Sequence, residues 1–289
     1  MPTKIEKDEV TGTETTGHEW DGIKELNTPL PKWWVYIFYA TVIWSFAYFV
    51  LYPAIPTLSG HTNGVLGYWS RGEMNASLEE GRAQRAPFVN RIRAASLDDI
   101  RRTPELLNFA IAGGRVAFAE NCAPCHQAGG AGTRGYPSLA DDVWLWGGTL
   151  ADIHQTIAYG VRNANERSRT SQMPRFGVDG MLNAEQIRDA AEFVLSLTNR
   201  STDAARAQRG AAVFAENCVS CHGERGQGNQ EFGAPALNGQ VWMYGGDRAT
   251  IIESITNARS GNMPAWSERL DEATVKMLAV YVHALGGGR

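Results

Sequence analysis

The hydrophobic and polar positions divide the chain into one long apolar segment near its start and a mostly polar remainder. The apolar segment, Trp33 to Tyr52, reads WWVYIFYATVIWSFAYFVLY and contains no charged residue. About 20 such residues are enough to cross ~30 Å of hydrocarbon as a helix. Aromatic side chains stand at both ends, as they do at membrane interfaces, and Pro53 and Pro56 come directly after them. The pattern predicts a single transmembrane helix over residues 33–52.

Two other interpretations of this segment are weaker. A buried helix of a soluble core rarely lacks charge on every side. A cleaved signal peptide starts close to the N-terminus, whereas residues 1–32 are mostly polar and precede the run. The basic residues near the segment lie mainly before it, at Lys4, Lys7, Lys24 and Lys32. The positive-inside rule therefore predicts that residues 1–32 are cytoplasmic and that the rest of the chain lies outside.

The stretch from Thr57 to Leu107 is polar and rich in Arg, Ala and Glu. It has helical propensity but no sustained apolar face. Residues 53–107 are therefore predicted to form a partly helical connector between the membrane and the C-terminal part of the chain.

The remainder of the chain is a repeat. FAENCAPCH at Phe118–His126 returns as FAENCVSCH at Phe214–His222. Further landmarks come in the same order in both copies: PSL and PAL, VWLWGG and VWMYGG, MPRF and MPAW, and then an amphipathic helical pattern. Long alternating strand patterns are lacking, so the fold class is mainly α. The order predicts two copies of one small helical domain, over residues 108–200 and 201–289.

Composition narrows the possible functions. The chain of 289 residues is 43% apolar, with a formal charge of −4 and a pI near 5.9. This balance argues against a nucleic-acid partner, because phosphate binders normally carry a basic face. Each repeat also has few apolar residues for a core of its own, so a bound group is expected to fill its centre.

The chain has four cysteines, and all of them lie in the two repeated phrases. Two cysteines in C-x-x-C followed at once by His form the attachment signature of a c-type haem. The thiols add to the haem vinyl groups, and the histidine becomes the proximal iron ligand. A zinc ribbon needs its second C-x-x-C much closer, and a thioredoxin-like pair needs a βαβ context. The predicted result is two covalently bound haem c groups, one held by Cys122, Cys125 and His126 and the other by Cys218, Cys221 and His222.

Met173 and Met263 are the candidates for the second axial ligands. Each precedes a proline, which keeps the methionine backbone extended and suits a loop that presents sulfur to iron. We expect each to serve the haem of its own copy, Met173 with His126 and Met263 with His222. An ordinary core methionine is the alternative. His154 is a rival to Met173 and has no histidine counterpart in the second copy.

Several other repeated residues are candidates for the surroundings of the haems. The carbonyls of Pro137 and Pro235 are candidate acceptors for the proximal imidazole N–H groups, although a plain loop proline is as good an interpretation. The remaining candidates are Arg162 and Arg259 for the haem propionates, Trp144 and Trp242 for packing on a haem edge, and the polar loop 163–172, present only in the first copy, for contact with another protein.

The residues thus predict a membrane-anchored dihaem electron carrier. With both irons six-coordinate, no open position remains for a substrate, so the chain is expected to transfer electrons and not to be an enzyme on its own. Two alternatives stay open: a stand-alone anchored carrier that serves another reductase, and a dihaem peroxidase.

One known family carries the same features. HEWDGIKELNTPLPKWW (His18 to Trp34) before one membrane helix, followed by two C-x-x-C-H domains with DDVWLWGG (Asp141 to Gly148), resembles the CcoP or FixP family of dihaem subunits of cbb₃-type cytochrome oxidase. The resemblance covers nearly the whole chain. It implies two tandem class I cytochrome c domains, with the cysteine, histidine and methionine roles at the positions named above.

The resemblance also implies partners and location. The chain would accept electrons from a donor cytochrome c and pass them to a monohaem subunit and then to a haem–copper subunit that reduces oxygen and pumps protons. It would lie in the bacterial inner membrane as a single-pass protein in contact with lipid, with residues 1–32 in the cytoplasm and the connector and haem domains in the periplasm.

Overall fold

The structure, a computed structural model, describes residues 4–287 of the chain. The described residues are mainly helical, with only short strands. The chain divides into two compact units, Met1–Ala83 and Gln84–Arg289. The second unit contains both C-x-x-C-H motifs.

The first unit begins with a β-hairpin, β1 (Thr15–Trp20) and β2 (Ile23–Leu26). Its two-residue turn has positive φ at both positions, 48° at Asp21 and 85° at Gly22. This geometry matches the right-handed twist of the flanking strands, and an Asp-Gly pair adopts it readily. A smaller hairpin, β3 (Pro56–Thr57) and β4 (Gly60–His61), comes after the first helix.

The first helix, α1 (Lys32–Leu51), is the apolar segment of the sequence. It has a mean hydropathy of 1.7, none of its residues is buried in the protein, and its length suffices to cross a membrane. An apolar surface exposed on every side is stable in lipid and not in water. The predicted transmembrane helix is therefore confirmed, with its start at Lys32.

The second unit is built from ten helices within the described residues, the first of which begins before the unit does. They are α2 (Ser70–Ala94), α3 (Leu97–Arg102), α4 (Pro104–Asn121), α5 (Ala123–His126), α6 (Leu150–Tyr159), α7 (Ala184–Ser196), α8 (Ala204–Asn217), α9 (Val219–His222), α10 (Arg248–Asn257) and α11 (Glu272–His283). A short 3₁₀ turn, Ala128–Gly130, comes after α5.

The connector has an apolar face that its sequence did not reveal. Ile92 at the end of α2 and Ile100 in α3 are fully buried, in a cluster that also holds Met277 and Val280 of α11. Lys276 adds polar contacts, because its ammonium donates to the carbonyls of Arg93 at 2.7 Å and Ala95 at 3.0 Å. The expectation of a connector without an apolar face was therefore wrong for its C-terminal part, because a few well-placed isoleucines suffice.

The larger helices of the second unit form two groups, and the groups do not match the sequence repeat. In the first group, α4 and α6 pack against α11 around a core that includes Phe118, Ile157 and Leu278. In the second group, α8 and α10 pack against α7 around Phe214 and Ile187. The last helix of each copy of the repeat therefore packs against helices of the other copy.

A glycine permits the closest helix crossing in each group. A Cβ on Gly114 of α4 would lie 2.4 Å from the Met277 carbonyl oxygen of α11. A Cβ on Gly210 of α8 would lie 1.9 Å from the Asp189 carbonyl oxygen of α7. Gly114 and Gly210 occupy the same place in the repeat, so both crossings have the same geometry with exchanged partners.

The short connection between α7 and α8 explains why the helices are exchanged. Only the turn at residues 197–203 separates them, and consecutive helices joined by a short loop pack side by side. Because the two copies have similar apolar faces, α7 is as well matched to α8 as to α4. With α7 packed on α8, the equivalent surface of α4 is left for α11.

Candidate functional site

Each C-x-x-C-H motif lies on one helical turn at the end of a long helix. In the first motif, the His126 N–H donates to the Cys122 carbonyl at 2.9 Å and the Cys125 N–H donates to it at 3.1 Å. The second motif repeats these contacts at Cys218. The turn therefore presents two thiols and one imidazole to the same side, as attachment to a single macrocycle requires.

Burial changes the pKa of the first thiol in each motif. Burial, together with the charge of the neighbouring cysteine, raises the pKa of Cys122 and of Cys218 to about 11. Thiols of high pKa are poor redox nucleophiles, which argues against a thioredoxin-like role. Among the described residues no three His, Cys, Asp or Glu side chains converge in a way that would hold a metal ion.

Backbone carbonyls orient both histidines. The His126 Nδ1 lies 3.0 Å from the Pro137 carbonyl oxygen, and the His222 Nδ1 lies 2.9 Å from that of Pro235. A carbonyl only accepts, so each Nδ1 carries the proton and each Nε2 keeps its lone pair for a metal. Burial lowers the pKa of both histidines, while the carbonyl contact acts in the opposite direction. Of the two interpretations of these prolines, the structure supports the acceptor.

A cavity of about 420 Å³ adjoins the first motif. Cys122, Cys125 and His126 line it, and so do Trp144 and the methionine of the second copy, Met263. Its walls are largely apolar, with Ile153, Ile157, Trp266 and Val282 among them. A flat apolar macrocycle with a polar edge suits such a space.

Met173 lies beside the second helix group. It packs against the buried cluster of α7, α8 and α10, and Cys218, Val219 and Trp242 pack against the same cluster. The expected pairing of Met173 with His126 and of Met263 with His222 is thus corrected: the structure brings Met263 to the His126 cavity and Met173 to the His222 group. The cause is the helix exchange, because each methionine precedes the helix that crosses to the other group.

Backbone pairing fixes Met263 in place. Val161, just after α6, and Met263 exchange both backbone hydrogen bonds, at 3.0 and 2.9 Å. The Asn163 side-chain amide also donates to the Met263 carbonyl at 2.7 Å. Gly160 has φ of 69°, and a Cβ there would lie 2.3 Å from that same carbonyl oxygen. The chain around Gly160 is therefore shaped to receive the Met263 segment.

The second methionine segment is held by α10 in an equivalent way. The Gly177 N–H, shortly after Met173, donates to the Thr256 carbonyl at 3.3 Å. In the first site the Ser267 N–H, shortly after Met263, donates to the Ala158 carbonyl at 3.0 Å. The two sites thus share one construction.

Two arginines provide a test of whether a haem suits these sites. Arg169 stacks on Trp146 and donates to the Asp152 carbonyl, and Arg259 stacks on Tyr244 and donates to the Thr250 carbonyl. In each arginine the Nε is buried and has no hydrogen-bond partner within the described residues. A buried unpaired donor is costly. A haem propionate is a carboxylate that would pair with it, so the residues present fit the group.

These contacts revise the list of arginine candidates. Arg259 was expected from the sequence, but its structural counterpart in the first site is Arg169, inside the polar loop 163–172. Arg169 is not identifiable from the sequence because the loop has no counterpart in the second copy to align with. Arg162 borders the first cavity, and its donors bind the carbonyls of Gly261 and Ser171. Burial lowers the pKa of Arg162.

His154 does not line the first cavity. It lies on the side of α6 that faces α11, where burial and the charge of Lys276 lower its pKa and Glu272 acts in the opposite direction. The structure thus gives no support to His154 as an iron ligand.

Trp144 lines the cavity as expected, and its indole N–H donates to the Gly287 carbonyl at 2.5 Å.

The loops of the two sites meet. The Gly135 N–H of the first copy donates to the Met243 carbonyl of the second at 2.8 Å, and Met243 also lines the His126 cavity. In the reverse direction, Gly233 lies against Trp146, since a Cβ there would lie 2.2 Å from the indole ring. The two sites therefore share a wall.

Covalent attachment turns, oriented histidines and methionines presented from loops define a protein of the cytochrome c class. Comparisons with known proteins agree. A cytochrome c family model matches residues 111–198, and a model described as cytochrome c oxidase, cbb3-type, subunit III matches residues 205–282. A third model, the N-terminal domain of cytochrome oxidase-cbb3, FixP, matches residues 12–59.

Full-length relatives are equally informative. The chain is 54% identical to the cbb3-type cytochrome c oxidase subunit CcoP of Azospirillum brasilense, over 98% of this chain and 99% of that one. It is 50% identical to subunit FixP of Bradyrhizobium diazoefficiens and 45% identical to CcoP of Cereibacter sphaeroides, each over the full length of both chains. The chain belongs to the CcoP/FixP family of cbb3-type cytochrome c oxidase subunits.

Proposed function

We propose that this chain is the membrane-anchored dihaem subunit of a cbb₃-type oxidase. It accepts electrons from a donor cytochrome c and relays them to the monohaem and haem–copper subunits. The haem domains lie in the periplasm, and residues 1–32 lie on the cytoplasmic side of the inner membrane. The names of the relatives support the oxidase, and the lysines before α1 support the orientation.

The observation that supports the proposal is the presence of two equivalent C-x-x-C-H turns, each with a histidine oriented by a proline carbonyl. Bound there, haem c supplies reversible single-electron transfer at iron. Cys122 and Cys125 would hold the first haem, with His126 and Met263 as the candidate iron ligands. Cys218 and Cys221 would hold the second, with His222 and Met173 as the candidates.

The residues of the chain then have defined tasks. Pro137 and Pro235 keep each imidazole in the tautomer that leaves Nε2 for iron, and the apolar walls exclude water. A methionine ligand favours reduced iron and raises the potential of the site. Arg169 and Arg259 would pair with the haem propionates. The shared wall at Gly135 and Met243 keeps the two sites adjacent, as a relay requires.

Purification tests the whole proposal. The full chain, isolated from its native membrane in mild detergent, is expected to retain haem after acid denaturation and to co-purify with a haem–copper subunit and a monohaem cytochrome. A chain that carries two haems but purifies without them would favour the stand-alone carrier. Peroxide turnover at a high-spin haem would favour the peroxidase.

A second experiment tests the axial pairing. In a Cys218→Ser, Cys221→Ser variant only the first haem is attached. Met263→Ala is then expected to abolish the red charge-transfer band of methionine-ligated ferric haem, whereas Met173→Ala leaves it. The reciprocal experiment uses Cys122→Ser, Cys125→Ser, with the methionine effects reversed. Loss of the band with the methionine of the same sequence copy would overturn the pairing.

A further inference from the structure

We propose that Arg162 is a positioning residue that holds both methionine segments, 171–173 and 261–263, and so couples the axial ligands of the two haems. The inference rests on the proposed ligand set of Met263 at the first site and Met173 at the second. It goes further in assigning one side chain to both sites.

The contacts of the guanidinium carry the inference. Its Nε donates to the Gly261 carbonyl at 2.8 Å, and its Nη1 donates to the Ser171 carbonyl at 2.9 Å. These carbonyls occupy equivalent places, in Gly261-Asn-Met263 and in Ser171-Gln-Met173. The planar fork of arginine holds both acceptors in one geometry, so neither segment shifts without disturbing a charge-assisted hydrogen bond.

The backbone of Arg162 is itself fixed from both sides. Its neighbour Val161 pairs with Met263, and its own N–H donates to the Arg169 carbonyl at 2.8 Å. Its φ is 50°, in the left-handed region that side chains other than glycine rarely adopt. Such a conformation persists only where the surroundings impose it, and here they direct the side chain toward the space between the two segments.

The arginine that aligns with Arg162 in the sequence makes no equivalent tie, that is, no pair of hydrogen bonds that joins the two methionine segments. Arg259 donates to the Thr250 carbonyl and to the Glu253 and Ser254 side chains, all of them in α10. It therefore acts within one site. Among the contacts of the described residues, Arg162 alone bonds to backbone just ahead of both methionines, so the coupling is asymmetric and depends on one residue.

Opening of either methionine loop is expected to become easier when the tie is removed. An exogenous ligand such as imidazole binds the iron only when the methionine leaves, so its apparent affinity reports the population of the open loop. Loss of one charge-assisted hydrogen bond at each segment should increase that population roughly tenfold at both sites.

The experiment uses the full-length chain, purified in detergent, in two backgrounds that make the sites distinguishable. In Met173→His, the red methionine band comes from Met263 alone. In Met263→His, it comes from Met173 alone. Arg162→Gln is introduced into each, and the loss of the band is titrated with imidazole. The expected result is an apparent Kd about tenfold lower in both backgrounds.

Two variants control for other effects. Arg175→Gln removes an exposed arginine close to Met173 whose ion pair is with Asp179, and it should leave both titrations unchanged. Arg162→Lys keeps the positive charge but replaces the fork with a single point donor, and it should show a smaller shift at both sites. Arg162→Lys also serves as the test variant if Arg162→Gln does not accumulate with two haems.

The outcomes separate the inference from the proposed function. A shift in apparent Kd at the Met263 site alone would show that Arg162 acts only at the first site, and it would overturn the tie. The absence of a shift at either site would also overturn it. Full restoration by Arg162→Lys would assign the effect to charge and overturn the tie too. If Met173→His and Met263→His do not each remove about half of the parental band, the ligand set is wrong and the tie falls with it.

Discussion

Gly210→Ala tests the closest helix crossing in the second group. The new Cβ would lie 1.9 Å from the Asp189 carbonyl oxygen and 2.5 Å from its carbon. Both are backbone atoms of α7, so no side-chain rotation relieves the contact. Ordinary contact begins at 3.4 Å, so the helices must separate by about 1.5 Å in an interior that is packed like a crystal.

The size of the effect depends on two opposing contributions. Overpacking of this kind costs ~1–3 kcal/mol, and a backbone clash belongs at the upper end of that range. Alanine in a helix recovers about 1 kcal/mol relative to glycine. The net destabilisation is then about 1–2 kcal/mol, which for a unit of roughly 200 residues lowers Tm by about 2–8 °C.

Separation of the helices should also weaken polar contacts that join them. The Asp189 carboxylate is buried and receives hydrogen bonds from Arg206 at 3.0 Å and Arg209 at 2.8 Å, both on α8. These bonds cross the same interface as Gly210. The site nearest to the change is that of Met173 and His222, so its methionine band should be lost at a lower temperature than the band of the other site.

Thermal unfolding of the haem-loaded chain, monitored by circular dichroism and by the methionine band, measures both effects. Gly113→Ala is the matched control, since its Cβ would meet the end of the flexible Met277 side chain, with the sulfur at 2.7 Å. Methionine adapts readily, so the helix-propensity gain of about 1 kcal/mol should offset the contact, and the control should have an unchanged or higher Tm. An unchanged or higher Tm in Gly210→Ala would refute the close crossing of α7 and α8.

Three further predictions concern single contacts. Hydrogen bonds from Arg209 and the charges of Arg209 and Arg206 lower the pKa of Asp189. The contribution of Asp189 to the free energy of unfolding is therefore complete above about pH 4 and is lost as pH falls through the folded pKa. The Tm difference between the parent and Asp189→Asn should shrink in acid, and a difference independent of pH would contradict this. Lys276→Met removes the bonds to the carbonyls of Arg93 and Ala95, and it should speed proteolysis within residues 84–102 at an unchanged haem spectrum. Arg169→Gln should lower the midpoint potential of the first haem only, and Arg259→Gln that of the second only, because each removes a positive charge next to one iron; redox titration measures this, and a shift of the wrong haem would refute the assignment.

The sequence was sufficient for features that depend on local chemistry. The transmembrane helix is predicted by an uncharged run, and the attachment turns are predicted by C-x-x-C-H. The amphipathic faces of α7 and α11 are confirmed, with Ile187 and Leu278 buried as their spacing indicated. These features need only neighbours in the chain, so a pattern of residues is enough to identify them.

The partners of those faces were not predictable in the same way. Two copies of one domain offer two equally apolar surfaces for each amphipathic helix, so the pattern alone does not choose between them. The choice depends on the short turn at residues 197–203 and on the pairing of Val161 with Met263. Arg169 was missed for a related reason: its role appears only when Trp146 and Asp152 are seen beside it.

The exchanged helices have a consequence for the order in which the protein matures. The proposed second haem site is made from a continuous stretch, from Met173 to α10, so it can close as soon as that stretch has been synthesised. The first site needs α11 and Met263 as well, and it stays open until the end of the chain arrives. A chain that stops before residue 260 would therefore keep the site of His222 and lose the site of His126.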